Sequence, residues 1–185
     1  MKKIENISQA KLDIKKSTFI AYICNFKEYK ELLNKLKEEH TKAVHFVYAY
    51  RFLNEHKQIV EDKSDDFEPK NSAGLPCLNA LRGADLIDSA VIVVRYFGGI
   101  KLGVGGLIRA YFAATNLAIQ NAKTVDFELK DEFSFKLNIK FFNKFKHKCV
   151  KNNISFDSKF NNDDVFIRLS INDKEKSLLK EFLSF

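Results

Sequence analysis

Five glycines within nine residues are the feature of this sequence that most restricts its fold. They stand in the segment GGIKLGVGG at residues 98–106. The preceding residues 90–97 are apolar except for Arg95, a pattern that predicts a central strand covered on both faces. The following residues, up to about 121, carry apolar side chains at helical spacing. We therefore expect a buried strand, a glycine loop and an amphipathic helix in direct succession.

Other segments before residue 130 also have readable patterns. Alternation predicts strands at 17–24 and 44–52, the second with aromatic side chains along one face. The acidic, turn-rich segment between residues 61 and 74 is expected to be a surface loop. The remaining predicted elements are a helix at 27–40, a strand near 58–61, a helix near 76–81 and a strand near 124–129.

A second, self-consistent set of elements begins near residue 130. In chain order these are a strand at 133–141, a helix at 143–152, strands at 154–160 and 165–171 joined by the turn sequence NNDD, and a helix opening near Asp173. The order βαββα makes up most of a ferredoxin-like unit. The sequence therefore predicts an α+β protein of two domains, residues 1–129 and residues 130–185.

Composition restricts the partners and the location that we expect for the protein. The chain has 31 lysines and arginines against 24 aspartates and glutamates, a formal charge of +7, which favours a polyanionic partner. Its three cysteines are scattered, so we expect reduced thiols and neither disulfides nor a metal site. The longest apolar run is far shorter than a membrane span, and the N-terminal residues lack the apolar stretch of a signal peptide. We therefore expect a cytoplasmic protein with no membrane partner.

The glycine loop is the main candidate for a binding site. A loop between a strand and a helix N-terminus points backbone amides at an anion, and nearby cations add to the attraction. It matches no nucleotide motif, because Val104 and Gly105 stand where a P-loop needs Lys and Ser or Thr, and Ile108 replaces the last glycine of the dinucleotide pattern. No cofactor is therefore expected. The candidate anion- or nucleic-acid-binding residues are Arg51, Arg95, Gly98, Gly99, Lys101, Gly103, Gly105 and Arg109.

Two questions about these residues remain open from the sequence. The glycines can instead serve close packing or positive φ angles. Three tyrosines, Tyr50, Tyr96 and Tyr111, can either stack against unpaired bases or belong to the core.

An enzyme would need different groups. Asp65, Asp66 and Glu68 in the acidic loop could hold Mg²⁺ together with a phosphorylated substrate, and His45 could transfer a proton. However, no nucleophile and base stand at a readable spacing, and acidic surface loops are mostly solvated or capping. The sequence therefore favours a non-catalytic binding protein, with a small-ligand-binding protein or a Mg-dependent enzyme as the alternative, and assigns no catalytic residue.

The segment RYFGGIKLGVGGLIRAY, residues 95–111, resembles the signature of the YigZ/IMPACT family. The resemblance extends through four shorter motifs: KKSTFIAY at 15–22, HFVYAYR at 45–51, DDFEP at 65–69 and AGLP at 73–76. In the acidic loop, Phe67 stands where the family usually has glycine, and Lys70, Asn71 and Ser72 replace a run of Ser, Gly and Thr. The second domain matches by layout rather than by residues.

The resemblance implies both a fold and a role. It implies an N-terminal α/β sandwich like the second domain of a small-subunit ribosomal protein, and a C-terminal ferredoxin-like domain similar to the last domain of elongation factor G. It also implies translation regulation through binding of RNA, the ribosome or a translation-associated protein. A third reading of the sequence is an interaction module without nucleic acid, which docks a protein in the cleft between the domains or on the exposed sheet of the second domain. The basic segment KFKHKCVKNN at residues 144–153 suits acidic partners and RNA alike.

Overall fold

The computed structural model describes residues 1–183 and divides into two compact units. The first unit is Met1–Phe127, and the second begins at Glu128. Both combine helices with antiparallel sheets, so the fold belongs to the α+β class that the sequence predicts. None of the helices in the described part of the chain is long and apolar enough to cross a membrane.

The elements of the first unit follow the predicted order, with two additional strands at the N-terminus. The strands are β1 (Lys2–Ile4), β2 (Ser8–Ile14), β3 (Ser17–Asn25), β4 (His45–Leu53), β5 (Ile59–Ser64), β6 (Ser89–Tyr96) and β7 (Thr124–Asp126). The helices are α1 (Tyr29–Glu39), which a 3₁₀ turn at Phe26–Glu28 precedes, α2 (Gly74–Gly83) and α3 (Val104–Asn121).

A five-stranded antiparallel sheet, in the order β2-β3-β6-β4-β5, forms the centre of this unit. The first seven residues of β6 are buried, which confirms the predicted central strand. β1 pairs with β7 in a separate two-stranded sheet. The strands β1 and β2 are not predicted from the sequence. β2 reads SQAKLDI and lies at the edge of the sheet, where its polar side chains stay hydrated and obscure the strand pattern.

Helices cover both faces of the sheet. One face packs against α2 and α3 and contributes Val47, Ala49 and Val93 to the larger core. The other packs against α1, where Tyr48 and Tyr50 contact a second core. β4 therefore has the predicted aromatic face, and its opposite face is also buried because the strand lies between two helical layers.

The second unit has a three-stranded antiparallel sheet in the order β8-β10-β9. Its elements are β8 (Asp131–Asn138), α4 (Ile139–Lys151), β9 (Phe156–Asn161), β10 (Asp164–Ile171), α5 (Asp173–Leu178) and α6 (Lys180–Leu183). β10 lies between the two strands that α4 connects, and β9 and β10 form the predicted hairpin, with a two-residue turn inside the predicted NNDD segment. The ferredoxin-like assignment of this unit stays a prediction.

The boundary between β8 and α4 differs from the prediction. Residues 139–141 begin α4 instead of continuing β8, because the side chain of Asn138 accepts a hydrogen bond from the backbone N–H of Lys140 and caps the helix. The alternation of apolar and polar residues runs across this point, so periodicity alone extends the strand too far.

Candidate functional site

The glycine loop joins β6 to α3 as the sequence predicts, and close contacts account for part of its composition. A Cβ on Gly98 would lie 2.0 Å from the backbone carbon and oxygen of Lys16, so no other residue fits there without a backbone shift. Gly99 and Gly103 have φ angles of +82° and +71°. Packing and backbone conformation therefore explain these three glycines whatever the loop binds.

Gly105 has no such steric explanation. It lies in the first turn of α3, and its Cβ would meet only Nη1 of Arg109, at 3.7 Å. Gly103 caps this helix without a side-chain hydrogen bond, and the first turn contains no acidic residue. The first amides of a helix have no intrahelical acceptor, so the N-terminus of α3 presents unpaired N–H groups with a partial positive charge.

Lys101 and Arg109 are free cations of this region. Both side chains are exposed, and within residues 1–183 neither forms an ion pair or a hydrogen bond. Lys101 belongs to the glycine loop, and Arg109 lies between the first and second turns of α3 with its guanidinium near Gly105. The loop, the uncapped amides and these two cations form an arrangement that can attract an anion.

Five exposed apolar side chains lie on the same loop and helix. Val104, Ile108 and Phe112 follow one another at intervals of four residues along α3, with 53%, 40% and 43% of their surface exposed. Phe97 and Ile100 of the loop are similarly exposed. Sequence reasoning missed this stripe because Ile108 reads as part of the buried face of the helix. We call these five side chains together the α3 stripe.

Arg95 is buried and forms an ion pair with Glu68. Its Nη1 donates to Oε1 of Glu68 at 2.5 Å, and the hydroxyl of Tyr111 donates to the same oxygen at 2.7 Å. Nε2 of His45 lies 3.7 Å from this oxygen. Burial, followed by the nearby Glu68 carboxylate, raises the pKa of Tyr111, so the phenol stays a donor.

Arg51 is also occupied by protein groups. Its Nε donates to Oε1 of Glu61 at 2.7 Å, and its Nη1 donates to the backbone oxygen of Leu86 at 2.9 Å. Hydrogen bonds from Arg82, and secondarily from Arg51, hold the pKa of Glu61 below its ordinary value. The sequence predicts Arg51 and Arg95 in the anion site, but both strand positions are largely buried and need a carboxylate partner. We therefore restrict the candidate anion site to the glycine loop, Lys101 and Arg109.

The acidic loop is held by its own carboxylates. Asp65 accepts hydrogen bonds from the backbone N–H groups of Asn71, Ala73 and Gly74 at 2.8–3.0 Å. The carboxylate of Asp66 accepts one from the N–H of Phe46 at 2.6 Å. These contacts tie the loop to the start of α2 and to β4, which is a structural role that loop composition alone does not reveal.

The same contacts bear on the alternative of a metal-dependent enzyme. No group of three histidine, cysteine, aspartate or glutamate side chains in the described residues is arranged to hold a metal ion. His45, the proposed proton-transfer group, has its Nδ1 2.6 Å from the backbone oxygen of Asp66. The acidic loop thus uses its carboxylates for contacts that hold the loop in place, rather than leaving them open to a ligand.

The three candidate tyrosines do not lie free on the surface. Tyr111 is fully buried. The hydroxyl of Tyr96 lies 2.8 Å from Nδ1 of His40, and the Tyr50 ring contacts those of Phe26 and Tyr29. None is placed for stacking against an external base, because Tyr50 and Tyr96 point from their strands toward neighbouring side chains and Tyr111 lies on the buried face of α3.

Comparisons with known proteins agree with the motifs. The profile of the Impact N-terminal domain matches residues 15–119. The IMPACT family member YvyE of Bacillus subtilis is 36% identical over 129 residues, which cover 68% of this chain and 58% of that protein. An IMPACT family member of Haemophilus influenzae is 38% identical over 130 residues, covering 68% of this chain and 62% of that one. The matched region therefore spans about three fifths of these relatives' length.

A solved structure matches almost the whole chain. It covers 97% of this chain and 89% of its own, with a TM-score of 0.69 and 24% sequence identity. It is described only as the crystal structure of a hypothetical protein. At this identity the match shows similarity of fold alone, and the matched residues include both units.

Proposed function

The chain belongs to the Impact N-terminal domain family, and on that premise we propose that it is a non-catalytic binding protein of translation regulation that contacts RNA phosphates. The glycine loop and the N-terminus of α3 form the contact. Membership of this family supports translation as the setting, and our proposal therefore includes a cytoplasmic location. The RNA is that of the ribosome or of a ribosome-associated complex.

One observation carries this proposal: Lys101 and Arg109 are exposed and unpaired beside an uncapped helix N-terminus. Within the described residues, ion pairs occupy the guanidinium groups of Arg51 and Arg95, so Lys101 and Arg109 are the predicted site cations that stay available to an anion. Amides and cations together bind phosphate oxygens without reading bases. We therefore expect binding with little sequence preference and strong dependence on salt.

The test is replacement of both free cations. Lys101→Ala with Arg109→Ala should weaken RNA binding and reduce the slope of log affinity against log salt by about 1.4, since each single-strand phosphate contact contributes about 0.7. Fluorescence anisotropy with labelled RNA measures both quantities. The matched control is Lys30→Ala with Lys37→Ala, which removes the same charge from two exposed positions of α1.

The two double variants have the same net charge, so they separate a local site from general attraction. Equal losses in both variants would show that only net charge matters. An unchanged slope in the Lys101 and Arg109 variant would remove the proposed site.

The α3 stripe favours a second candidate function, docking of a translation-associated protein. Exposed apolar side chains on one helix face are typical of protein contacts. Replacing Ile108 and Phe112 by Ser removes two members of the stripe and leaves both cations in place. Loss of ribosome co-sedimentation in this variant, with co-sedimentation retained when Lys101 and Arg109 are replaced, would favour protein docking over phosphate contact.

A further inference from the structure

One face of the three-stranded sheet in the second unit is open. Along β10, alternate residues are buried, among them Val165, Ile167 and Leu169, and these pack in the core with α4 and the C-terminal helices. The residues between them, Phe166, Arg168 and Ser170, are exposed on the opposite face. We call this opposite face the open sheet face.

An aromatic side chain stands at the centre of the open sheet face. Phe166 lies on the middle strand and has 47% of its surface exposed. Its partners in register are Lys136 on β8 and Lys159 on β9. Directly opposed residues project to the same side of a sheet, so the ring has a lysine on each flank.

Three cations surround this ring, and two of them are free. The face forms an open depression of about 550 Å³ whose lining includes Lys136, Lys159 and Arg168 against one carboxylate, Asp157. Lys136 pairs with Asp164 at 2.7 Å. Within residues 1–183, Lys159 and Arg168 form no ion pair or hydrogen bond.

We propose that the open sheet face binds single-stranded RNA, with an unpaired base stacked on Phe166 and the flanking phosphates contacted by Lys159 and Arg168. An exposed ring on the central strand of an open antiparallel sheet stacks on any base, and the cations at its sides match the phosphates. Paired bases in a duplex do not present a free face, so this site selects unpaired RNA. The inference rests on RNA being the partner in the proposed function, but it uses a different surface.

The composition of the face disfavours a second copy of the chain as its occupant. A stable dimer needs about 800 Å² of well-packed surface from each partner. Phe166 is the exposed aromatic residue of this face, and charged side chains surround it. Their burial against an identical face would bring like charges together.

The experiment compares two RNAs with the full chain. Phe166→Ala should weaken binding of a short oligouridylate about tenfold, within the range measured for loss of one stacked base, and leave binding of a short RNA duplex unchanged. Phe166→Tyr should restore oligouridylate binding, because the ring is retained. A 2-aminopurine base placed in the oligonucleotide reports stacking through quenching of its fluorescence.

The matched control is Phe160→Ala. Phe160 belongs to the same hairpin and is 55% exposed, but it lies opposite Val165 in register and contacts the ring of Phe142, so it faces the other side of the sheet. Its replacement should leave oligouridylate affinity unchanged. Thermal unfolding of each variant shows whether the unit remains folded.

The outcomes separate this inference from the proposed function. The proposed function and this inference are both supported by one combination of results. In that combination the Lys101 and Arg109 variant loses duplex and oligouridylate binding, and Phe166→Ala loses oligouridylate binding alone. A Phe166→Ala effect without an effect of Lys101 and Arg109 supports only the open sheet face. An unchanged oligouridylate affinity in folded Phe166→Ala, an equal loss of duplex binding, or self-association that depends on Phe166 overturns the inference.

Discussion

Glu68 and Arg95 form a buried ion pair that joins the acidic loop to the central strand of the first unit. Their side chains are 4% and 6% exposed, and the two atoms in contact lie 2.5 Å apart. Tyr111 of α3 donates to the same carboxylate oxygen. One oxygen atom therefore connects the acidic loop, β6 and the helix that follows the glycine loop.

Removal of this carboxylate should be costly. Glu68→Ala leaves Arg95 buried without a counter-charge, and we expect the free energy of unfolding to fall by about 3–5 kcal/mol. Urea unfolding followed by circular dichroism measures the change. In contrast, Glu5→Ala removes the partner of Lys123 in an exposed pair and should cost less than about 1 kcal/mol. Similar values for the two variants would contradict the structural role of the buried pair.

Phe67→Gly should stabilise the protein. Asp66 and Phe67 have φ angles of +42° and +67°, and the N–H of Glu68 donates to the backbone oxygen of Asp65 at 2.9 Å, as in a type I′ turn. This conformation costs about 1 kcal/mol in a residue other than glycine. Phe67 is 96% exposed, so its ring contributes no core packing.

Phe67→Ala is the control for this effect, because it removes the ring and keeps the unfavourable φ. The midpoint of thermal unfolding should rise in Phe67→Gly and stay almost unchanged in Phe67→Ala. An equal rise in both would assign the effect to the exposed ring rather than to the backbone.

Two glycines near the candidate site should respond in opposite ways to the same substitution. Gly98→Ala forces a Cβ onto the Lys16 backbone and should destabilise the protein by at least about 1–3 kcal/mol. Gly105→Ala meets only the end of the Arg109 side chain and should be neutral or stabilise α3 by about 0.5 kcal/mol. If Gly105 keeps the helix N-terminus accessible, its replacement should still weaken RNA binding in anisotropy measurements. Unchanged RNA affinity in Gly105→Ala would argue against contact with these amides.

The three cysteines should be unreactive in the folded protein. Burial raises the pKa of Cys24 and Cys77 to about 12 and that of Cys149 to about 11. No thiol should react with a disulfide reagent near pH 8 before the chain unfolds, as absorbance during reagent addition would show. Rapid reaction of a thiol in the native state would contradict its burial.

These thiols also make stability depend on pH. In the unfolded chain they ionise near a pKa of 9.0, whereas in the folded chain they retain their protons to higher pH. The unfolded state therefore binds fewer protons between these values, and the free energy of unfolding should fall as pH rises from 9 through about 11 to 12. A variant with all three cysteines replaced by alanine should lose stability less steeply over this range in urea unfolding.

Sequence patterns were most informative where one side-chain period persisted over many residues. The central strand, α3, the βαββα order and the hairpin of the second unit follow from such periods. The patterns failed at the polar edge strand β2, which is hydrated along one side, and at Asn138, where a single side-chain cap ends the strand. Edges and caps depend on individual contacts, so a period does not reveal them.

The candidate site likewise has one part that the sequence predicts and one part that it does not. The sequence by itself determined the position of the glycine loop between a buried strand and a helix, because apolar runs and glycine spacing are local properties of the chain. Only the tertiary structure decided which cations remain free: it paired Arg95 with Glu68 and Arg51 with Glu61, and it left Lys101 and Arg109 exposed. The reason is physical. A charged side chain gains a partner, or stays in water, only when segments distant in sequence pack together. Where that packing buries the charge, a partner of opposite charge is required.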